Sequence, residues 1–166
     1  MFELKPLSKK GVPAAIEKAQ HYRVLNEPLE AECICLDVLE IEPTNQAVLV
    51  ILILALSDQF ARKAGEKYEQ ARKLLASLDG EYERAYYEGI LFERRAKSAL
   101  ATNSLGSGCV AYEWFLQAMG SYEKAIELRQ KTNDEAILRW NTCARIVNRN
   151  PSVCPEPLQR AEEMLE

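Results

Sequence analysis

Three prolines, Pro13, Pro28 and Pro43, divide the segment from Val12 to Asn45 into two pieces, each of helix length. Pro13 can occupy a first helical turn, where its missing N–H costs nothing. Ala15, Ala19 and Tyr22 then recur at spacings of four and three, which places them on one helical face. At Asn26-Glu27-Pro28 the helix must break, because the residue before a proline is pushed out of the α region. Pro28 can open a second helix with Ala31, Ile34, Cys35, Val38 and Leu39 along one stripe, and Pro43 ends it. The reading is a hairpin of two short amphipathic helices.

The same grammar extends along the chain. A second pair is expected over residues 46–79, with helices at Gln46–Phe60 and Glu66–Leu78. A stretched third pair covers 81–130, with helices at Glu81–Ala101 and Val110–Leu128 joined by the glycine-bearing loop Thr102–Gly108. A fourth helix-length run, 134–148, is cut off by Pro151, Pro155 and Pro157, after which 155–166 can form a short polar helix. Residues 1–11 read as a leader with little to bury. The apolar run Ala47–Leu56 is ten residues long; a membrane span needs about 20, so we read a buried helix and no membrane span.

The pattern of tyrosine in the first helix, alanine in the second and a closing proline resembles the tetratricopeptide repeat (TPR) family. Tyr22, Ala31 and Pro43 match those three places, and Ala19 stands where the family prefers glycine. Ala15, Lys18 and Cys35 depart from the family's tryptophan, leucine and aromatic. Ala85, Gly89 and Phe92 repeat the spacing of Ala15, Ala19 and Tyr22, and Ala118, Tyr122 and Ala125 give a close small–aromatic–small match. The resemblance implies an all-α, TPR-like right-handed solenoid of helical hairpins. It would have seven or eight helices in a single domain, with repeats at 12–45, 46–79 and 81–130 and a partial repeat with capping segment at 133–166.

In that family the first helix of each pair lines a concave groove. Carried over, the groove faces would hold Ile16, Gln20 and Arg23; Val50, Leu54 and Asp58; Tyr86, Tyr87, Ile90, Arg94 and Lys97; and Asn141 and Arg145. The partner-binding set expected from these is Arg23, Asp58, Tyr87, Arg94, Lys97, Asn141 and Arg145. Asn141 and Arg145 lie four apart on one face and could grip a carboxylate or backbone amides. The lysine–asparagine clamp of the chaperone-binding members is missing: Ile16, Gln20 and Ile51 stand there.

Catalytic chemistry finds little support. His21 is the single histidine and has no evident partner for acid–base work. Cys33 and Cys35 point to different helix faces, Cys35 and Cys143 read as small buried hydrophobes, and Cys143 and Cys154 would meet only by an accident of the fold. Gly106-Ser107-Gly108 lacks the preceding strand that a dinucleotide site requires. A net charge of −4 argues against non-specific nucleic-acid binding. The five cysteines lack a disulfide-framework spacing, and no apolar leader opens the chain. The expectation is therefore a cytoplasmic, non-enzymatic scaffold that takes a protein or peptide partner and needs no cofactor or metal. A self-assembling dimeric module, driven by apolar surface left over on Ala47–Leu56, or a small secretion-type chaperone is the alternative.

Overall fold

Asn26 ends the first helix by adopting a left-handed conformation, φ 61°. That lets the Glu27 N–H reach back to the Tyr22 carbonyl at 2.9 Å and the Asn26 N–H to that of Arg23. Pro28 then starts the next helix. The computed structural model describes residues 2–155, and the helix expected at 155–166 lies beyond the described part. Among the described residues there are seven α-helices: α1 (Val12–Val24), α2 (Pro28–Leu39), α3 (Gln46–Ser57), α4 (Phe60–Leu75), α5 (Glu81–Ala101), α6 (Ser107–Leu128) and α7 (Glu135–Arg149). None is long and apolar enough to cross a membrane. The chain divides into two compact units, Met1–Asp79 and Gly80–Glu166.

In the first unit, a single 3-10 turn at Lys9–Gly11 leads into α1. Helices α1 to α4 pack in chain order, each on the next, and α1 also touches α3. Asn45 caps α3, its side-chain oxygen accepting from the Val48 N–H at 3.1 Å. Gln46 holds the two ends of the α3–α4 hairpin together: it donates to the Ser77 carbonyl and accepts from the Asp79 N–H. The small residues Ala19, Ala31 and Ala71 are fully buried with Cys35 and Val38, so the helices approach closely. Helix α3 is buried over most of its surface; Val50 and Leu54 are half-buried and Ala47 is exposed. Ala47, Val50 and Leu54, at spacings of three and four, form one partly open apolar stripe on it.

Several boundaries differ from expectation: α3 ends at Ser57, α4 ends at Leu75 rather than Leu78, and α6 begins at Ser107, inside the expected loop. Phe60 does not close the third helix but opens the fourth, and the backbone departs from helical geometry at Lys63 (φ −140°, ψ 53°). Phe60 is buried and its ring meets Tyr68 edge-on. The kink at Lys63 sets a single turn at Phe60 apart from the helix proper, in which the expected start at Glu66 lies.

The second unit is built on the long α5–α6 hairpin, with α7 against α6. Ala111, Ala118 and Ala125 lie seven apart on α6 and are fully buried, interleaved with Phe115 and Tyr122. Opposite them, α5 buries Ala85, Gly89 and Ala96. The hairpin turn uses left-handed backbone at Asn103 and Gly106, φ 48° and 80°. Arg129 braces the α6–α7 turn by pairing with Asp134 at 3.1 Å and donating to the Asn133 carbonyl.

Candidate interaction surface

Glu93 sits in the middle of α5 with 1% of its side chain exposed. Such a charge is tolerated only where other groups replace its lost water. Three do. The Tyr122 hydroxyl, from α6, donates to Oε2 at 2.7 Å. The Arg139 guanidinium, from α7, donates to Oε1 at 3.3 Å, and the Lys97 ammonium, one turn further along α5, donates to the same oxygen. Burial pushes the Glu93 carboxyl up, but the hydrogen bonds from Lys97 and Tyr122 and the charges of Lys97 and Arg139 outweigh it, so the net shift is down. Glu93 stays ionised and joins all three helices of this unit.

Around it the titrating groups are held neutral. Burial, and then the Glu93 charge, raise Tyr122 well above an ordinary phenol. Burial followed by the Glu93 charge pushes the Cys143 thiol up to about 12. Burial, reinforced by Tyr86, does the same to Tyr87. Burial raises Tyr86 too, with the adjacent Arg139 guanidinium partly opposing. At neutral pH none of these is a nucleophile or a proton carrier.

What partly reaches the surface is an aromatic and cationic strip built around the buried Tyr86 ring. Tyr82 stacks on Tyr86 with ring centroids 5.7 Å apart, and Tyr87 meets Tyr86 edge-on at 5.2 Å. Arg139 lies against Tyr86, and Lys97 stands further along α5; their side chains remain 39% and 45% exposed although both grip Glu93. Two cations share the Glu93 carboxylate, and the carboxylates of Glu83 and Glu135 act on the neighbouring tyrosines, so the strip carries charges of both signs.

Of the residues expected in the partner-binding set, Lys97 and Tyr87 belong to this strip, and half-buried Arg94 lies on the same helix. Tyr86 and Ile90 are buried, so they act in the core rather than lining an open face. Asn141 is half-buried and Arg145 exposed, four residues apart on α7. Arg145 borders a shallow depression of about 550 Å³ with Thr142, Ile146, Arg149 and Asn150, and Asn141 is not part of its wall. In the first unit Arg23 and Asp58 are brought together, Nε to Oδ2 at 2.9 Å. They satisfy each other, with 22% and 23% of their side chains exposed.

Sequence reasoning missed Glu93 and with it the role of Arg139. An acid directly after the apolar stretch Gly89–Phe92, four residues before a lysine, was the available signal. It also missed a second buried pair. Lys67 on α4 donates to both oxygens of Glu32 on α2, at 2.7 and 2.8 Å, and Gln59 adds a bond at 2.6 Å. Cys35, in the same interior, is pushed up to about 12 by burial, with Arg23 opposing and Glu32 reinforcing. His21 is exposed. Trp140 is half-buried and donates to Glu123 at 3.0 Å, tying α7 to α6. Among the described residues no group of three His, Cys, Asp or Glu could hold a metal ion. No protein-family model, curated protein or solved structure matches the chain.

Proposed function

We propose that this chain is a non-enzymatic, cytoplasmic scaffold built of TPR-like helical hairpins, binding a protein or peptide partner on the surface that carries Tyr87, Lys97 and Arg139. The repeat reading rests most on the pairing of helices in the first unit. Arg23–Asp58 joins α1 to the end of α3 and Glu32–Lys67 joins α2 to α4. Each pair spans the same sequence separation, 35 residues. α1 packs on α3 and one ion pair links α2 to α4, and the common separation is close to the roughly 34 residues of a TPR unit, which supports the repeat reading. A closed four-helix bundle would instead set α1 against α4, and α1 packs on α2 and α3.

The scaffold reading is carried by Glu93. Its ionised carboxylate is consumed in joining α5, α6 and α7, which fixes a strip of tyrosine, lysine and arginine at the surface. Tyrosine and arginine dominate binding hot spots, and side chains held in advance lose less entropy on binding. Capture from native cell extract, quantified by mass spectrometry, tests the proposal. Wild type, Tyr87→Ala and Lys97→Ala proteins of equal helicity are compared. A partner set that the variants lose supports the surface; identical sets from all three overturn it.

A further inference from the structure

We propose that Cys109 and Cys154 form a redox-sensitive disulfide that clasps the chain after α7 to the start of α6. Sequence spacing offered no reason to pair them. The fold lays the stretch 150–155 across the first turn of α6. Gly108 lies so close to it that a Cβ there would stand 1.9 Å from the Ser152 carbonyl oxygen, a contact only glycine permits. Val153 is buried at 3% exposure, which seats the stretch. Ser152 in turn is held by Asn150, whose side-chain oxygen accepts from its N–H at 3.1 Å and its hydroxyl at 2.7 Å.

The two sulfurs converge on this short stretch. Cys109, next to Gly108, places its Sγ 3.9 Å from the Pro155 carbonyl oxygen. Cys154 turns its Sγ to the Ser152 carbonyl at 3.8 Å, the same carbonyl that Gly108 abuts. Both are thiols and both are partly accessible. Forming the bond requires Cys154 to rotate about its χ1 bond, so that its Sγ leaves the Ser152 carbonyl and turns toward Cys109. Cys35 and Cys143 are sealed in the interior, and Cys33 lies alone at the surface of the other unit. The fold therefore selects one pair among five cysteines.

The oxidant required is a small-molecule disulfide such as oxidised glutathione. One protein thiolate attacks a glutathione sulfur, forming a mixed disulfide as a glutathione thiolate leaves. The second protein thiolate attacks the protein sulfur of that bond and expels the other glutathione. Two protein thiols are oxidised, one glutathione disulfide is reduced to two thiols, and the two protons pass to the departing thiolates. In a reducing compartment such a bond forms transiently and reports redox state.

Incubation of the full-length protein with oxidised glutathione, followed by trypsin digestion without reductant, reads the bond directly. Cys109 falls in peptide 98–124 and Cys154 in 150–160, so their linkage gives a unique joined mass. The expected result is that joined peptide in monomeric protein, lost on adding dithiothreitol, with a melting temperature raised by at least about 5 °C. Cys154→Ser should abolish both changes and Cys33→Ser neither. The proposal is overturned if Cys109 and Cys154 persist as thiols or as separate glutathione adducts while Cys33 reacts, or if the joined peptide appears only in covalent dimers.

Discussion

The ring of Tyr122 occupies the space that a side chain on Gly89 would need: a Cβ there would lie 2.5 Å from Cε1 and 2.6 Å from Cδ1. The missing side chain on α5 lets α6 bring its tyrosine across, and the hydroxyl then reaches Glu93. One glycine thus admits the donor that makes a buried carboxylate tolerable.

Alanine at position 89 should therefore destabilise the protein, although alanine is the better helix former. Tyr122 is fully buried and hydrogen-bonded, so it cannot swing away, and overpacking of this kind costs about 1–3 kcal/mol. Gly120 supplies the opposite case on α6: a Cβ there meets nothing within 4 Å. Gly120→Ala should stabilise by roughly 0.5–1 kcal/mol through helix propensity. Urea unfolding of both variants checks the pair, and equal signs would contradict the packing described.

Glu93 predicts a pH dependence. Its folded pKa lies below the unfolded value, so the unfolded chain takes up the proton first as pH falls. Its contribution is complete above the unfolded carboxyl pKa, about 4.3, and drains away as pH drops through the folded value. Wild-type stability should fall over that acid range. Glu93→Gln should flatten this part of the profile. It should also lower stability at pH 7 by about 1–3 kcal/mol, because the buried Tyr122 hydroxyl loses its charged acceptor while Arg139 and Lys97 still reach water. Thermal unfolding between pH 2 and 7 for the two proteins gives both quantities; an unchanged acid slope in the variant would remove Glu93 from the account.

What could be read beforehand, and what could not, divides along physical lines. Helix existence and the breaks at Asn26–Pro28 and Pro43 follow from local backbone chemistry, and the sequence carries that chemistry openly. The buried alanines of α2 and α6 announce themselves by helical spacing. The turn at Phe60 ahead of the kink was hidden, and the bond from Gln59 to Glu32 beside it crosses 27 residues. Lys97 stands four residues after Glu93, a local spacing; that Glu93 would be buried was hidden, because Tyr122 and Arg139, which make its burial tolerable, come from 29 and 46 residues away. The arginine and asparagine of α7 share a helical face by spacing, yet neighbouring side chains decide which of them borders open space.

The pair Glu32–Lys67 should show coupling that a surface pair would not. The two side chains are only 13% and 10% exposed, so truncating either leaves the other charge with little water. Glu32→Ala and Lys67→Ala should each cost more than the double variant's share, giving an interaction energy of about 1–3 kcal/mol in a double-mutant cycle. The exposed pair Lys63–Glu66 serves as the comparison, with an expected coupling below about 1 kcal/mol. Coupling energies of equal size would mean that Glu32 and Lys67 are more hydrated than their burial indicates.

Thiol chemistry gives a test that needs no mutation. Cys33 and Cys35 are neighbours in sequence on opposite faces of α2; the first is exposed and the second buried. Burial pushes Cys35 and Cys143 up to about 12, so near pH 8 their reactive thiolate is scarcer than that of a free cysteine by about a thousandfold. Native protein treated with iodoacetamide should therefore lose Cys33 quickly. Cys35 and Cys143 should react only at the rate of unfolding, and urea should release both. Peptide mass mapping over time distinguishes the sites. Rapid native modification of Cys35 would mean that α2 opens readily from α3, and the packing order on which the repeat reading depends would not hold in solution.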